Sequence, residues 1–97
     1  MAYNLVILEE AYLETLEAYN YYEEKQQGLG ETFLLSLQKR YIDLSRNPQY
    51  YSFISNDSAQ IFRDVKVDKF PYVVIFEISE TDVIIYSVHL THKRSRH

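Results

Sequence analysis

The side chains best suited to chemistry are one arginine and a histidine-rich basic stretch. Arg63 lies among alternating apolar and charged residues, where its guanidinium could bind a phosphate or a carboxylate; the alternative is a solvated charge at a sheet edge. His89 and His92 are three apart on a predicted strand and therefore point to opposite faces, which argues against a two-histidine metal site. The end of the chain carries three cations, Lys93, Arg94 and Arg96. They could contact nucleic acid or an acidic partner; the alternative is that they are simply solvated.

Tyrosine is unusually frequent, with ten in 97 residues. A tyrosine ring can stack on a base or anchor a protein interface, because its body is apolar and its tip is polar. We interpret the tyrosines of the predicted helices as packing residues. Better candidates for partner binding are two in a loop, Tyr50 and Tyr51, and two on the predicted sheet, Tyr72 and Tyr86.

Composition excludes several kinds of site. The chain has no cysteine, so it has no disulfide and no thiolate nucleophile, which fits a reducing cytoplasm. It has no metal-ligand spacing and no phosphate-binding glycine loop, so we predict neither a metal nor a cofactor. No apolar run is long enough to cross a membrane. We predict one globular domain over residues 1–97.

Charge is unevenly distributed along the chain. Residues 1–34 hold seven acids against Lys25, a net charge of −6, and the remaining residues have a net charge of +2. An acidic protein is a poor general binder of nucleic acid, since phosphate contacts from lysine and arginine supply most of that affinity. We interpret the glutamates at 10, 14, 17 and 24 as a solvated helix face.

The elements that must position these side chains centre on residues 70–92. Two runs rich in β-branched and aromatic residues flank a polar break at 79–82, which is typical of a β-hairpin. Period-two spacing places residues 70, 72, 74, 76 and 78 on one face of the first strand, and residues 84, 86, 88 and 90 on one face of the second. Because both faces are apolar, we expect this hairpin at the centre of a sheet, with one face left open to a partner or a second copy.

Other segments complete the fold. We predict a strand over 3–8, a helix from Glu9, a second helix over 31–46, an extended segment over 49–53 and a strand over 61–67. Gly28 is expected to end the first helix and Gly30 to separate the helices. The fold class is α+β, with the order β-α-α-β-β-β(-β): a helical hairpin packed on an antiparallel sheet of three to four strands plus the N-terminal strand.

Several spaced residues resemble the RelE/ParE toxin superfamily of type II toxin–antitoxin, or plasmid stabilisation, modules. They are Tyr22-Glu23, Gly28-Leu29-Gly30, Phe33, Asn47-Pro48, Arg63, Val67, Phe70-Pro71-Tyr72-Val73-Val74 and the histidine-containing basic end. The resemblance covers nearly the whole chain. It implies a bacterial, cytoplasmic toxin that a cognate antitoxin neutralises with its C-terminal segment, by strand addition or by filling a groove.

Members of the superfamily have one of two activities, and this sequence is closer to the ParE-like members. ParE-like members inhibit DNA gyrase, whereas RelE-like members cleave mRNA on the ribosome. For cleavage the resemblance implies Arg63 and Lys93 as charge stabilisers and His92 as acid or base, with Tyr86 as a further RNA contact. However, Tyr72 stands where RelE-like members have a second arginine, and the register of the final histidine stays open between His89 and His92.

Three hypotheses follow from the sequence. The first is a toxin that binds DNA gyrase or a similar target, with Tyr50, Tyr51, Tyr72, Tyr86 and Arg94 as partner-binding residues. The second is a ribosome-dependent mRNA endoribonuclease, and the third is a toxin-fold relative that has lost its activity. A homodimer is a further candidate assembly.

Overall fold

The predicted architecture is confirmed by a computed structural model that describes residues 2–91. A helical hairpin packs on a four-stranded sheet of order β1-β4-β3-β2, in which β1 is parallel to β4 and the other pairs are antiparallel. None of the described helices is long and apolar enough to span a bilayer. The elements are β1 (Asn4–Ile7), α1 (Glu9–Lys25), α2 (Leu29–Arg46), β2 (Phe62–Lys66), β3 (Tyr72–Ser79) and β4 (Asp82–Leu90).

The segment between α2 and β2 differs from the extended segment predicted over 49–53. Pro48 begins a single 3-10 turn, Pro48–Tyr50, and only Phe53 pairs with β2, through a bridge to Arg63. Proline fixes its own φ near the helical value, so it starts a turn readily and favours a compact path here.

The central hairpin, β3 and β4, contains a β-bulge that the period-two pattern did not predict. Ile75 pairs with Ser87 but Phe76 pairs with Ile85, so Tyr86 is the extra residue on β4. The bulge switches the face on which β4 side chains point. The predicted grouping of residues 84, 86, 88 and 90 on one face is therefore wrong: the buried residues of β4 are Val83, Ile85 and Val88.

The core lies between the helices and one face of the sheet. Small residues of α1, Ala11 and Ala18, are buried and let this helix approach the sheet closely. From α2 the core receives Phe33, Leu37 and Leu44, which recur at the helical period, whereas Leu34 is 38% exposed. The sheet supplies Val65, Val74, Phe76, Val83, Ile85 and Val88, and Val67, directly after β2, joins them.

The two glycines at the helix junction have other roles than those predicted. Gly28 is the N-cap of α2, with φ +89°, and Gly30 lies inside the first turn of α2. Both backbone N–H groups donate to the carboxylate of Glu23, at 2.9 Å each. A residue of α1 therefore caps α2, because the first N–H groups of a helix have no intrahelical acceptor.

A carboxylate organises the loop before β2. Asp57 accepts hydrogen bonds from the backbone N–H groups of Phe62 at 2.7 Å, Ile61 at 2.8 Å and Ala59 at 3.2 Å. These donors, Phe62 first, lower the pKa of the Asp57 carboxyl. Because hydrogen bonds to the charged form favour ionisation, the loop is held best when this group is charged.

We expect Asp57→Ala to lower the thermal midpoint in a pH-dependent way. A carboxyl whose folded pKa is depressed stabilises the fold above its unfolded pKa, near 3.9, and this stabilisation is lost as the pH falls through the folded pKa. The difference from the native chain should be constant above about pH 5 and shrink below about pH 4. Melting curves at several pH values test this, with Asp68→Ala, an exposed carboxyl before β3, as control. A difference that does not change with pH would contradict it.

One buried hydroxyl should be dispensable. Burial raises the pKa of Tyr41 to about 12, and its hydroxyl has no hydrogen-bond partner among the described residues. A buried unsatisfied group costs about 1–3 kcal/mol. We therefore expect Tyr41→Phe to leave stability unchanged or raise it by up to about 1 kcal/mol, as measured by urea denaturation, whereas a loss would show that the hydroxyl has a partner.

Candidate functional site

An open groove lies between α1 and the C-terminal half of β4, with a volume of about 390 Å³. β1 pairs with β4 only from Asp82 to Ile85, so beyond that point α1 borders this side of β4 instead of a strand. The groove combines carboxylates, phenol rings and an imidazole. Its lining residues are Glu14, Glu17, Ala18, Tyr21, Tyr72, Val88, His89 and Leu90.

A hydrogen-bond chain fixes the polar wall of this groove. Oε1 of Glu14 accepts the backbone N–H of Val88 at 2.8 Å and the hydroxyl of Ser87 at 2.9 Å. Oγ of Ser87 lies 2.7 Å from Nδ1 of His89. Since the hydroxyl gives its proton to Glu14, Nδ1 of His89 is the donor to the oxygen of Ser87.

The chemistry that this groove can perform follows from its charge. The carboxylates of Glu14 and Glu17 attract cations and repel phosphates, so the groove suits a basic side chain better than a nucleic-acid backbone.

Glu14 should matter for stability as well as for the groove. In Glu14→Ala the N–H of Val88 and the hydroxyl of Ser87 lose their charged acceptor, and hydrogen bonds to charged groups contribute about 1.5–3 kcal/mol. We expect a loss in that range by urea denaturation. Glu17→Ala, in the same groove, is the matched control and should change stability by less than about 0.5 kcal/mol. Equal losses in the two variants would show that Glu14 acts only through its charge.

Tyr72, which was predicted to bind a partner, is mainly a core residue. It is 9% exposed, and its ring packs against Phe33 at 5.1 Å and Tyr22 at 6.1 Å between centroids. Phe70 completes this aromatic cluster. Its ring fills space in the core where an arginine would need a charged partner.

Arg63 is held in place by the chain segment after α2. Its guanidinium donates to the carbonyl oxygen of Tyr51 at 2.7 Å and to that of Gln49 at 3.4 Å, and it lies 4.0 Å from the centre of the Phe53 ring. These contacts anchor the 49–53 segment to β2. A catalytic role for Arg63 stays a prediction, and it would require part of the guanidinium to remain available to a substrate.

Of the two tyrosines after α2, Tyr50 is exposed and Tyr51 is packed against the core. Tyr50 is 82% exposed and packs edge-on against Tyr51, with 5.1 Å between ring centroids. Tyr51 in turn contacts the buried ring of Phe76 at 6.3 Å. Tyr50 therefore keeps the geometry of an interface anchor, whereas Tyr51 supports it from beneath.

Tyr86 lies on the sheet face opposite the helices, as alternation from the buried Val83 and Ile85 requires. Its ring packs against Phe62 at 5.0 Å, and its hydroxyl donates to Glu77 at 2.9 Å. This hydrogen bond, ahead of burial and the nearby charge, raises the pKa of Tyr86. Tyr86 is only half-buried, so it remains available to a partner on this face.

Three predicted site residues, His92, Lys93 and Arg94, lie outside the described residues. Within residues 2–91 no three histidine or carboxylate side chains are grouped closely enough to hold a metal ion. The contacts of the Arg63 guanidinium in this range are to the carbonyl oxygens of Gln49 and Tyr51 and to the ring of Phe53, none of which is a general acid or base.

Sequence reasoning missed Glu14, Ser87 and Glu23 as positioning residues. The predicted solvated face is wrong for Glu14, which is half-buried against β4. Beyond Ile85 the edge of β4 has no neighbouring strand, so its N–H groups need another acceptor. In the sequence, only the short length of β1 indicates that α1 must supply this acceptor.

Comparison with known proteins gives a match of fold. No family model matches the sequence, and no curated protein matches it. A chain from a solved structure, the chromosomal ParDE toxin–antitoxin system from P. aeruginosa, superposes with a TM-score of 0.78 at 10% sequence identity. The match covers 92% of this chain and 96% of that one. This match confirms the fold that the resemblance implied: the protein shares its fold with a chain of a ParDE toxin–antitoxin system.

Proposed function

We propose that the protein is the toxin of a type II toxin–antitoxin module, and that it acts in the cytoplasm by binding a macromolecular target rather than by cleaving RNA. DNA gyrase is the first candidate target. A cognate antitoxin encoded beside it would neutralise it through its C-terminal segment.

The observation that carries this proposal is the fold match to a ParDE chain over 92% of the sequence. Three features of the site favour binding over cleavage. The guanidinium of Arg63 is bound to backbone carbonyl oxygens, Tyr72 packs in the core where a second arginine would stand, and the groove beside α1 carries carboxylates that repel phosphate.

The decisive experiment expresses the chain from a tightly regulated promoter, with and without the adjacent gene. We expect growth arrest that the adjacent gene product relieves, and inhibition of gyrase supercoiling by the purified protein. Arrested translation with cleaved mRNA and unaffected supercoiling would establish the ribonuclease instead. Normal growth despite accumulation of folded protein would establish a relative without toxicity.

Variants separate the binding toxin from the ribonuclease. Tyr50→Ala removes an exposed ring without disturbing the core, so we expect weaker arrest at an unchanged melting temperature. Tyr12→Ala, which removes an exposed ring from α1, is the matched control. His92→Ala should leave the arrest of a binding toxin unchanged, whereas a ribonuclease that uses this imidazole would lose about 10²–10⁴-fold in rate.

A further inference from the structure

The chain protects the two edges of its sheet unequally. At β2 the outer side is occupied by other parts of the chain: the N–H of Phe62 donates to Asp57, and its carbonyl oxygen accepts from the N–H of Ile54. At the other end of this strand the carbonyl oxygen of Lys66 accepts from Nε of Arg40 at 2.8 Å. Such contacts oppose pairing with another strand, because an open edge is a template for a second chain.

β1, at the other edge of the sheet, keeps its outer side open. Asn4 and Leu8 donate their N–H groups to the central hairpin, at 2.9 and 3.1 Å, so the odd-numbered residues between them point the opposite way. Tyr3 follows this alternation, since its N–H donates outward to a carbonyl oxygen near the end of α2, at 2.7 Å. Leu5 and Ile7 therefore direct their N–H and C=O groups outward, where no residue of the described part of the chain bonds to them.

We propose that a second copy of this chain pairs with β1, edge to edge and antiparallel, about a two-fold axis through Val6. In this register Leu5 of each copy faces Ile7 of the other, so the open residues exchange both N–H···O=C bonds in each facing pair. The strand is thus complementary to itself, as a two-fold interface requires. The two sheets become one continuous sheet, with the helices of both copies on the same face. This inference does not depend on the proposed function.

Charge complementarity at the ends of β1 supports a second copy as the occupant. The chain enters α1 directly after the paired strand, and the register brings the exposed Glu9 beside Tyr3 of the second copy. Tyr3 shares a pocket of about 330 Å³ with Arg46 and Glu80, and within residues 2–91 no ion pair joins Arg46 to a carboxylate. Glu9 of each copy therefore meets an available guanidinium of the other. The paired edge is short, so the dimer is weak and forms at high protein concentration.

A single cysteine on the axis tests the contact, because the native chain has none. Val6 is 39% exposed, and in this register it lies directly opposite its own copy, with Cα atoms about 4.5 Å apart. Full-length Val6→Cys should therefore form a symmetric disulfide dimer under mild oxidation. Ile61→Cys, beside β2 and 44% exposed, is the matched control for random collisions and should cross-link at least about tenfold more slowly.

Amide hydrogen exchange examines the same strand without a substitution. The N–H groups of Leu5 and Ile7 should exchange quickly in dilute protein and at least about tenfold more slowly in concentrated protein. The N–H of Leu8, which is bonded to the central hairpin in either state, is the internal control and should not change with concentration.

A charge exchange tests the register. Arg46→Glu should weaken the dimer in sedimentation equilibrium, and adding Glu9→Arg to that variant should restore it. The proposal is overturned if the native chain stays monomeric up to about 1 mM, if Val6→Cys cross-links no faster than Ile61→Cys, or if a dimer forms while the amides on the outer side of β1 still exchange quickly. It is also overturned if only a different protein, such as the product of the adjacent gene, protects those amides.

Discussion

Replacing Phe33 with alanine should cost the protein a large part of its stability. The side chain is fully buried and packs against Tyr22, Phe70 and Tyr72, with ring centroids 5.6, 5.2 and 5.1 Å away. Truncating a buried phenylalanine to alanine costs about 3–5 kcal/mol. A domain of this size has only about 5–15 kcal/mol in total, so we expect a large unfolded fraction in mild urea.

Urea denaturation followed by circular dichroism measures the effect of Phe33→Ala. Leu35→Ala is the matched control, because Leu35 lies on the same helix but is 62% exposed, and it should change the free energy of unfolding by less than about 0.5 kcal/mol. Phe33→Leu should give an intermediate loss, since it keeps apolar volume but removes three aromatic contacts. Similar midpoints for Phe33→Ala and Leu35→Ala would show that the aromatic cluster does not hold the helices on the sheet.

The sequence was sufficient for the element order and for the core face of each helix. The spacing of Phe33, Leu37 and Leu44 follows the helical period, and burial of these residues depends on that period alone. The runs on either side of residues 79–82 likewise predicted the central hairpin. These features are determined locally, by the side chains of one or two neighbouring elements.

Features that depend on three elements at once could not be predicted in the same way. The bulge at Tyr86 reverses the alternation of β4, and no turn residue or glycine marks its position in the sequence. In the sequence Glu14 cannot be distinguished from the other glutamates predicted to be solvated. In the structure its carboxylate accepts the N–H of Val88 on β4. That contact exists because β1 ends at Ile7 and leaves the edge of β4 to the helix.

The same limit applies to the candidate site. Arg63 was identified from its position in a family pattern, but its hydrogen bonds to the 49–53 segment depend on the path of a loop that the sequence predicted as extended. Tyr72 was predicted to bind a partner because a tyrosine on the sheet can anchor an interface. The face of the sheet that the helices cover became clear only with the packing of Phe33 and Phe70 around it.

Gly30 should be the position of the helix junction that tolerates substitution least. A Cβ atom added there would lie 2.8 Å from the backbone oxygen of Tyr19, and equally close to Cδ1 of Tyr19 and Oε1 of Glu23. A backbone oxygen of α1 cannot move without displacing the helix. Overpacking of this kind costs about 1–3 kcal/mol or more, which exceeds the gain of about 1 kcal/mol that alanine brings over glycine in a helix.

We therefore expect Gly30→Ala to destabilise the protein, and Gly30→Val to do so by about 3 kcal/mol or more, as measured by urea denaturation. Gly28 provides the contrast, because a Cβ atom there meets nothing within 4 Å and only the positive φ opposes it. Gly28→Asn should lose well under 1 kcal/mol, since asparagine adopts this conformation readily. If Gly30→Ala were instead stabilising, helix propensity would dominate at this junction, and the close approach of α1 to α2 would not be what requires glycine.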